Sequence, residues 1–166
     1  MTVRGVIEKC DKLFPNQFSQ CEKLSFCNEL AALIHANYIK TTKKAELGGS
    51  DAALPAGVTA ERVRAVYAGG VLLQGDIGEI LGRSIEGNLK IEYVDIPEYG
   101  LDDVLPVSAP YDEMFTYWLL AKICLHNEDA EGYNNYMSLY NALMMEFKKC
   151  FVAEKGSSAV RFGNLY

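Results

Sequence analysis

The sequence lacks any long apolar segment. No run approaches the roughly 20 consecutive apolar residues that a membrane-spanning helix requires. Residues 1–13 carry five charged side chains, which excludes the apolar core of a secretory signal peptide. We therefore expect a soluble protein that is made in the cytoplasm and has no membrane partner.

Nucleotide-binding motifs and a basic surface for nucleic acids are also missing. The glycines between residues 69 and 87 are not followed by Gly-Lys-Ser/Thr, and no GxGxxG sequence opens a helix. The formal net charge of -6 argues against a broad nucleic-acid-binding face, because clustered Lys and Arg are needed to bind phosphates. The sequence therefore predicts no cofactor and no sequence-specific binding of DNA.

Residues that build metal centres and catalytic sites are few and scattered. The five cysteines form no CxxC pair and suit reduced, mostly buried thiols, while the two histidines, His35 and His126, lie far apart. A zinc site needs three or four converging ligands. Glu98, Asp102 and Asp103 could act as acids or bases, but a loop in an acidic chain usually carries such charges to stay solvated. We therefore expect no enzyme, no metal site and no catalytic residue.

What the sequence does contain is a pair of long helical patterns near the C-terminus, at 111–126 and 131–151. In the second, apolar residues recur at three- and four-residue steps and form one stripe. They are Tyr133, Tyr136, Met137, Tyr140, Leu143, Met144, Phe147 and Phe151. The first is apolar around nearly its whole circumference and includes Phe115 and Trp118. Such a helix needs cover on more than one side, from its own domain or from another subunit.

The N-terminal segment predicts two more helices. Thr2 can cap the first, which Pro15 follows closely enough to end. Ser19 and Glu22 form a capping-box pattern, in which the Ser hydroxyl accepts from the Glu amide while the Glu carboxylate reaches back. A second, longer helix is therefore expected to begin there and to run to about Lys40.

The middle of the chain has a different pattern. Residues 41–57 hold polar and breaker clusters and predict a surface connection. Residues 62–67 and 71–73 flank two glycines and predict a β-hairpin, with a short helix at 60–67 as the rival interpretation. Residues 76–81 predict one helical turn. Residues 89–94 alternate apolar and charged positions and predict a third strand.

Together these patterns predict a mainly α fold, a small bundle of about four helices with a short β-hairpin or three-stranded insertion. We expect residues 1–166 to form a single domain with four parts. They are an N-terminal helical pair at 1–40, a β-containing insertion at 41–106, a C-terminal helical hairpin at 107–152 and a tail at 153–166. The tail has apolar and aromatic residues without a period, which suits either a frayed terminus or a segment that orders against a partner.

Two further groups of residues carry a resemblance to known proteins. The N-terminal group comprises Thr2-Val3, Ile7, Leu13, Pro15-Asn16, Phe18-Ser19 and Glu29-Leu30. The C-terminal group comprises Ala109-Pro110-Tyr111-Asp112-Glu113, Tyr117, Leu119, Ala121-Lys122-Ile123, Asn127, Glu131, Tyr133-Asn134-Asn135, Tyr140-Asn141 and Phe147. In these residues the chain resembles a family of small virion proteins of tailed bacteriophages and of prophages in Gram-positive bacteria.

Proteins of this family are head-to-tail adaptors or connectors, helical bundles that form a ring beneath the portal and join the DNA-filled head to the tail. The resemblance implies a non-enzymatic structural protein that binds copies of itself, the phage portal and tail proteins. A homo-oligomeric ring in the virion and a monomer in solution are both compatible with that role. The resemblance also implies that the protein moves from the bacterial cytoplasm into the virion, and that DNA only passes through.

These considerations single out candidate interface residues on the two C-terminal helices and in the tail. They are Phe115, Trp118, Asn134, Asn141, Arg161, Phe162, Leu165 and Tyr166. Asn134 and Asn141 lie seven residues apart and either form a wet helix surface or bond a facing helix or a neighbouring subunit. The alternative function is a stand-alone bacterial module that uses its helical hairpin to bind a protein or a small ligand.

Overall fold

A computed structural model describes residues 1–48, 53–82 and 88–157 of the chain. The chain divides into two compact units. The first combines Met1–Ile34 with Glu98–Tyr166, and the second consists of His35–Pro97. The insertion predicted at 41–106 overlaps the second unit, but residues 98–106 belong to the first.

Five α-helices and four β-strands lie within the described residues. The helices are α1 (Val3–Leu13), α2 (Gln20–Ile34), α3 (Ile77–Gly82), α4 (Glu113–His126) and α5 (Ala130–Ser157). The strands are β1 (Thr42–Leu47), β2 (Val63–Ala68), β3 (Val71–Leu72) and β4 (Leu89–Val94). The fold is therefore mixed α and β, with more strand than the sequence predicted. No helix in these described ranges combines the length and the apolar character needed to cross a membrane.

The predicted N-terminal caps are confirmed. The Thr2 hydroxyl accepts a hydrogen bond from the Gly5 amide at 3.2 Å and begins α1. At the start of α2 the Ser19 hydroxyl accepts from the Glu22 amide, while the Glu22 carboxylate accepts from the Ser19 amide at 2.8 Å. The α-helical part of the second helix ends at Ile34. The chain then continues as a π-helical turn, His35–Ile39, so the predicted end near Lys40 holds only when this wider turn is included.

Helix α4 is the centre of the first unit. It contacts α1, α2 and α5, and eight of its residues are buried. They are Met114, Phe115, Thr116, Leu119, Leu120, Ala121, Ile123 and Cys124. The cover that its apolar circumference requires is therefore supplied by the same unit.

Helix α5 is much longer than the helix on which it packs. Its 28 residues span about 42 Å and the 14 residues of α4 about 21 Å, at 1.5 Å per residue. Tyr140, Met144 and Phe147 on the predicted apolar stripe are buried. The Tyr111 and Phe147 rings meet edge to face at 5.4 Å, so α5 continues along the segment that precedes α4.

The second unit is built on a four-stranded antiparallel sheet in the order β1-β4-β2-β3. The predicted hairpin is confirmed, and Gly69 and Gly70 at its turn have φ values of +55° and +87°, which glycine adopts without strain. The rival helix at 60–67 is limited to a 3-10 turn, Ala60–Arg62. The core of this unit contains Leu47, Val63, Val66, Ile80, Leu89 and Ile91.

The interpretation of residues 41–48 as a surface connection is wrong, because Thr42–Leu47 form the edge strand β1. Four charged residues cross-link β1 and β4 on the solvent side. Lys44 pairs with Glu92 at 2.6 Å and Lys90 with Glu46 at 2.9 Å. An edge strand with charged outward residues has a polar composition resembling that of a loop.

Candidate interaction surfaces

The two candidate residues on α4 are both used inside the first unit. Phe115 is completely buried, so its ring packs in the core and does not form part of the surface. Trp118 is half-buried, and its indole N–H donates to the Phe26 carbonyl at 3.0 Å. The Trp118 ring also lies 5.3 Å from the Tyr140 ring and 4.6 Å from the Lys122 ammonium. Trp118 therefore ties α4 to α2 and α5, and only its outer part remains for a partner.

The two asparagines on α5 lie on the surface. Asn134 and Asn141 are both exposed, and the Asn134 carbonyl accepts from the Ser138 hydroxyl at 2.8 Å within the helix. The four candidate residues of the tail, Arg161, Phe162, Leu165 and Tyr166, lie outside the described residues. Asn134 and Asn141 are therefore the candidates that the structure places wholly on the surface.

Two exposed apolar residues extend the line of the asparagines. Met145 is 58% and Val152 68% exposed. Asn134, Asn141, Met145 and Val152 follow one another at steps of seven, four and seven residues, which keeps them on one side of an α-helix. We call these four residues the outer α5 stripe. Sequence reasoning missed Met145 and Val152 because it assigned apolar residues to the buried stripe, although their spacing from Asn141 was visible.

A small pocket lies at the turn between α4 and α5. Its volume is about 150 Å³, a size that accommodates a single aromatic ring. Its lining consists of Leu125, Glu128, Asp129, Ala130, Tyr133 and Asn134. Asp129 is engaged with the helix itself, because its carboxylate accepts from the Gly132 amide at 2.9 Å. Leu125 forms an apolar side of the pocket. Asn134, the first residue of the outer α5 stripe, also lines it.

A larger groove of about 610 Å³ contains His126. The imidazole packs edge to face on Phe18 at 4.8 Å. Two of the polar groups in the groove serve helix ends. Glu22 caps α2, and Asn16 bonds the Asp11 carboxylate, the Phe14 carbonyl and the Phe18 amide. These bonds stabilise the connection between α1 and α2, and the described lining supplies no nucleophile beside the imidazole.

Asp102 and Asp103, two of the carboxylates that could act as acids or bases, stabilise a loop of the first unit. Asp102 is exposed and pairs with Arg4 at 2.8 Å, and this hydrogen-bonded guanidinium holds the pKa of Asp102 below its usual value. The Asp103 carboxylate accepts from the Gly100 amide at 2.7 Å. Both carboxylates therefore accept hydrogen bonds in structural contacts of the first unit.

The buried thiols are poor nucleophiles. Burial raises the pKa of both Cys10 and Cys27 to about 12, and burial also raises the pKa of Cys124. Across residues 1–48, 53–82 and 88–157, no group of three or more His, Cys, Asp and Glu side chains is placed to hold a metal ion.

No protein-family model matches the sequence, and no curated protein sequence matches it either.

Proposed function

We propose that the protein is a non-enzymatic structural protein of a bacteriophage virion, a head-to-tail adaptor or connector that joins the portal to the tail as a subunit of a ring. Its partners in this proposal are copies of itself and the phage portal and tail proteins. DNA passes the ring without sequence-specific binding. The protein is made in the bacterial cytoplasm and is then incorporated into the virion.

The outer α5 stripe is the observation that supports the proposal best. A helix that packs on one side normally exposes polar residues on the other, but Met145 and Val152 expose more than half of their surface there. Apolar side chains that are exposed in line on a rigid helix are typical of a surface that another protein covers. The long α5 presents this stripe along most of its length.

The residues in which the chain resembles the connector family also support the proposal, because they stabilise the helical unit. Several of them join separate helices of the first unit. Asp112 accepts from the N-terminal ammonium at 3.2 Å, and Glu113 pairs with Lys9 of α1. Lys122 pairs with Glu29 of α2 at 3.0 Å. These contacts explain why such residues would be shared by proteins with a similar helical unit.

The charge of the chain is compatible with a channel that DNA traverses. The formal net charge is -6, and carboxylates repel phosphates. A surface of that sign gives a passing duplex no strong binding site.

A second candidate function is a stand-alone bacterial helical module that binds a protein or a small ligand. The pocket at the α4–α5 turn favours this candidate, because it combines exposed Leu125 with the adjacent carboxylates Glu128 and Asp129. The two candidates differ in their gene neighbours, since a connector gene belongs among portal, capsid and tail genes.

The direct experiment mixes the purified protein with a portal protein encoded in the same genome and measures co-sedimentation and mass by light scattering. We expect a complex that contains several copies of the protein on each portal ring. The double substitution Met145→Lys with Val152→Lys should abolish the complex, because it places two charges in an apolar contact.

A matched control is Asn135→Lys with Ala142→Lys. These positions are also exposed on α5 but lie to one side of the outer α5 stripe, and the added charge is the same. The control variant should bind the portal like the wild type. Absence of binding by the folded wild type, or equal binding by both double variants, would contradict the proposal.

A further inference from the structure

A cavity within the second unit is lined by two arginine side chains. Its volume is about 410 Å³, which falls within the range of small-molecule sites. One part of its lining is polar and comprises Thr59, Glu61, Arg62 and Arg64. The other part is apolar and comprises Ala36, Val94 and Ile96. We call it the arginine cavity.

The two arginines are set apart by their lack of a carboxylate partner. Of the three arginines in the described ranges, Arg4 forms an ion pair with Asp102, whereas Arg62 and Arg64 form no ion pair there. Arg62 donates to the Gly57 carbonyl at 3.0 Å, which fixes its side chain without neutralising its charge. The chain holds 22 acidic and 16 basic residues, so carboxylates are plentiful. Two guanidiniums without carboxylate partners beside one cavity are therefore unusual in this protein.

A β-bulge directs Arg64 to this position. Val63 pairs with Tyr93 and Ala65 with Glu92 across the same two strands, so Arg64 is an extra residue in β2. Val63 and Val66 are both buried in the core, although a regular strand would send residues three apart to opposite faces. The bulge thus keeps both valines in the core and turns Arg64 towards the cavity. Bulges frequently re-aim a side chain in this way near functional sites.

The remaining groups complete a site with two kinds of surface. Thr59 precedes the 3-10 turn, and its hydroxyl makes no capping bond to that turn. Glu61 is one carboxylate against two guanidiniums, so the polar side of the cavity has a net charge of +1. Val94 is almost fully buried beneath the opposite side. Guanidiniums bind planar or tetrahedral oxyanions in bidentate geometry, and the apolar side suits a hydrocarbon group.

We propose that the arginine cavity binds an organic anion whose charged end is a carboxylate or a phosphate and whose body is apolar. Arg62 and Arg64 bind the oxyanion, and Ala36 and Ile96, which are both partly exposed, contact the body. This site belongs to the second unit alone and does not depend on the proposed role as a connector.

The test uses the full-length protein and follows the arginine side-chain Nε–H signals by NMR during titration with phenyl phosphate and, separately, phenylacetate. We expect saturable shifts of the Arg62 and Arg64 signals with at least one of the two anions at millimolar concentrations. The anion that binds more tightly identifies the charged group as a phosphate or a carboxylate. No saturable shift with either anion would overturn the proposal.

Two comparisons distinguish binding at a specific site from nonspecific electrostatic attraction. Arg64→Gln should weaken binding by about tenfold or more, because it removes one of two charge-assisted donors. Lys12→Gln, which removes an exposed positive charge from α1, should leave binding unchanged. Equal affinity in wild type and Arg64→Gln, with backbone spectra showing an intact fold, would overturn the assignment. Inorganic phosphate should bind more weakly than phenyl phosphate, and equal affinity would exclude the apolar contact.

Discussion

At the scale of single residues, one asparagine holds a loop of the first unit in place. The Asn28 side chain donates to the Tyr99 carbonyl at 3.0 Å and accepts from the Tyr99 amide at 2.8 Å. This pair of bonds imitates the exchange between two β-strands and joins residues 71 positions apart. No local sequence pattern predicts it, because each partner has ordinary neighbours.

Asn28→Ala should lower the free energy of unfolding by about 1–3 kcal/mol, since it removes both bonds to a partly buried backbone segment. Asn28→Asp should also destabilise, because a carboxylate oxygen then faces the Tyr99 carbonyl. Urea denaturation followed by circular dichroism measures both. Asn135→Ala, at an exposed position, is the control and should change little. A cost for Asn28→Ala no larger than that of the control would contradict the assigned role.

The five cysteines are expected to separate into two classes. Cys10, Cys27 and Cys124 are buried, whereas Cys21 and Cys150 are exposed. A pKa of about 12 leaves about one in ten thousand Cys10 or Cys27 thiols ionised at pH 8, and the thiolate is the reactive form. An alkylating reagent should therefore modify two cysteines per folded chain quickly and the other three only after unfolding. Mass spectrometry of the folded and unfolded protein checks this, and rapid labelling of Cys10 in the folded chain would contradict it.

Phe115 and Trp118 differ in a way that the sequence could not predict. Phe115 and Trp118 lie three residues apart on one helix and both are aromatic, so the pattern treated them as equivalent candidates. Packing distinguishes them, because Phe115 is fully buried whereas Trp118 retains some exposure while bonding Phe26. That difference depends on contacts from α1, α2 and α5, which no pattern within α4 contains.

At the scale of elements, short-range signals predicted best. The caps at Thr2 and Ser19, the glycine turn of the hairpin and the alternation in β4 each depend on a few neighbouring residues, and each is confirmed. Strand β1 was missed because its polar residues are stabilised by partners in β4, more than forty positions along the chain. Edge strands show this weakness in general, because charged side chains often protect their unpaired side and make the segment polar.

The capping box at the start of α2 gives stability that depends on pH. Hydrogen bonds from Ser19 hold the pKa of Glu22 below its ordinary value of 4.5. A lowered carboxyl pKa stabilises the folded state above that ordinary value, and the contribution is lost as the pH falls through the folded-state pKa. Glu22→Gln should therefore be less stable than wild type at neutral pH, and the difference should shrink in acid. Urea denaturation at neutral and at acidic pH measures this difference in stability. Glu146→Gln, on the exposed side of α5, is the control. A difference that does not change with pH would contradict the capping role.

Gly132 permits close contact between the first turn of α5 and the end of α4. A Cβ atom at this position would lie 2.8 Å from the Cys124 sulfur and 2.2 Å from an Asp129 carboxylate oxygen. Gly132→Ala should therefore destabilise by about 1–3 kcal/mol from overpacking, although alanine normally favours a helix over glycine. Thermal unfolding measures the change.

The double variant Gly132→Ala with Cys124→Ala separates the packing effect from helix propensity. Removing the sulfur should make the Gly132→Ala change less costly than it is in the wild type, so the two substitutions should be non-additive. Strictly additive effects would show that close packing on Cys124 does not explain the glycine.

At the scale of the whole molecule, the second unit is inserted into the sequence of the first. The Asp95 amide donates to the Thr41 carbonyl at 2.8 Å, and Thr42 pairs with Val94, so the inserted sheet begins and ends at neighbouring points. The sheet also has its own core. Because its two ends are adjacent, a short linker can replace it without stretching the remaining chain.

Replacing residues 41–95 with a short Gly-Ser linker should leave the first unit helical and cooperatively folded. If the outer α5 stripe forms the contact with the portal, this shortened protein should still bind the portal, and Met145→Lys with Val152→Lys should abolish that binding in the shortened protein as in the full chain. Circular dichroism checks folding, and co-sedimentation with the portal checks binding. A shortened protein that folds but no longer binds would place the partner contact on the inserted unit, contradicting assignment of that contact to α5. Retained binding would mean that the contact with the portal requires only the helical unit.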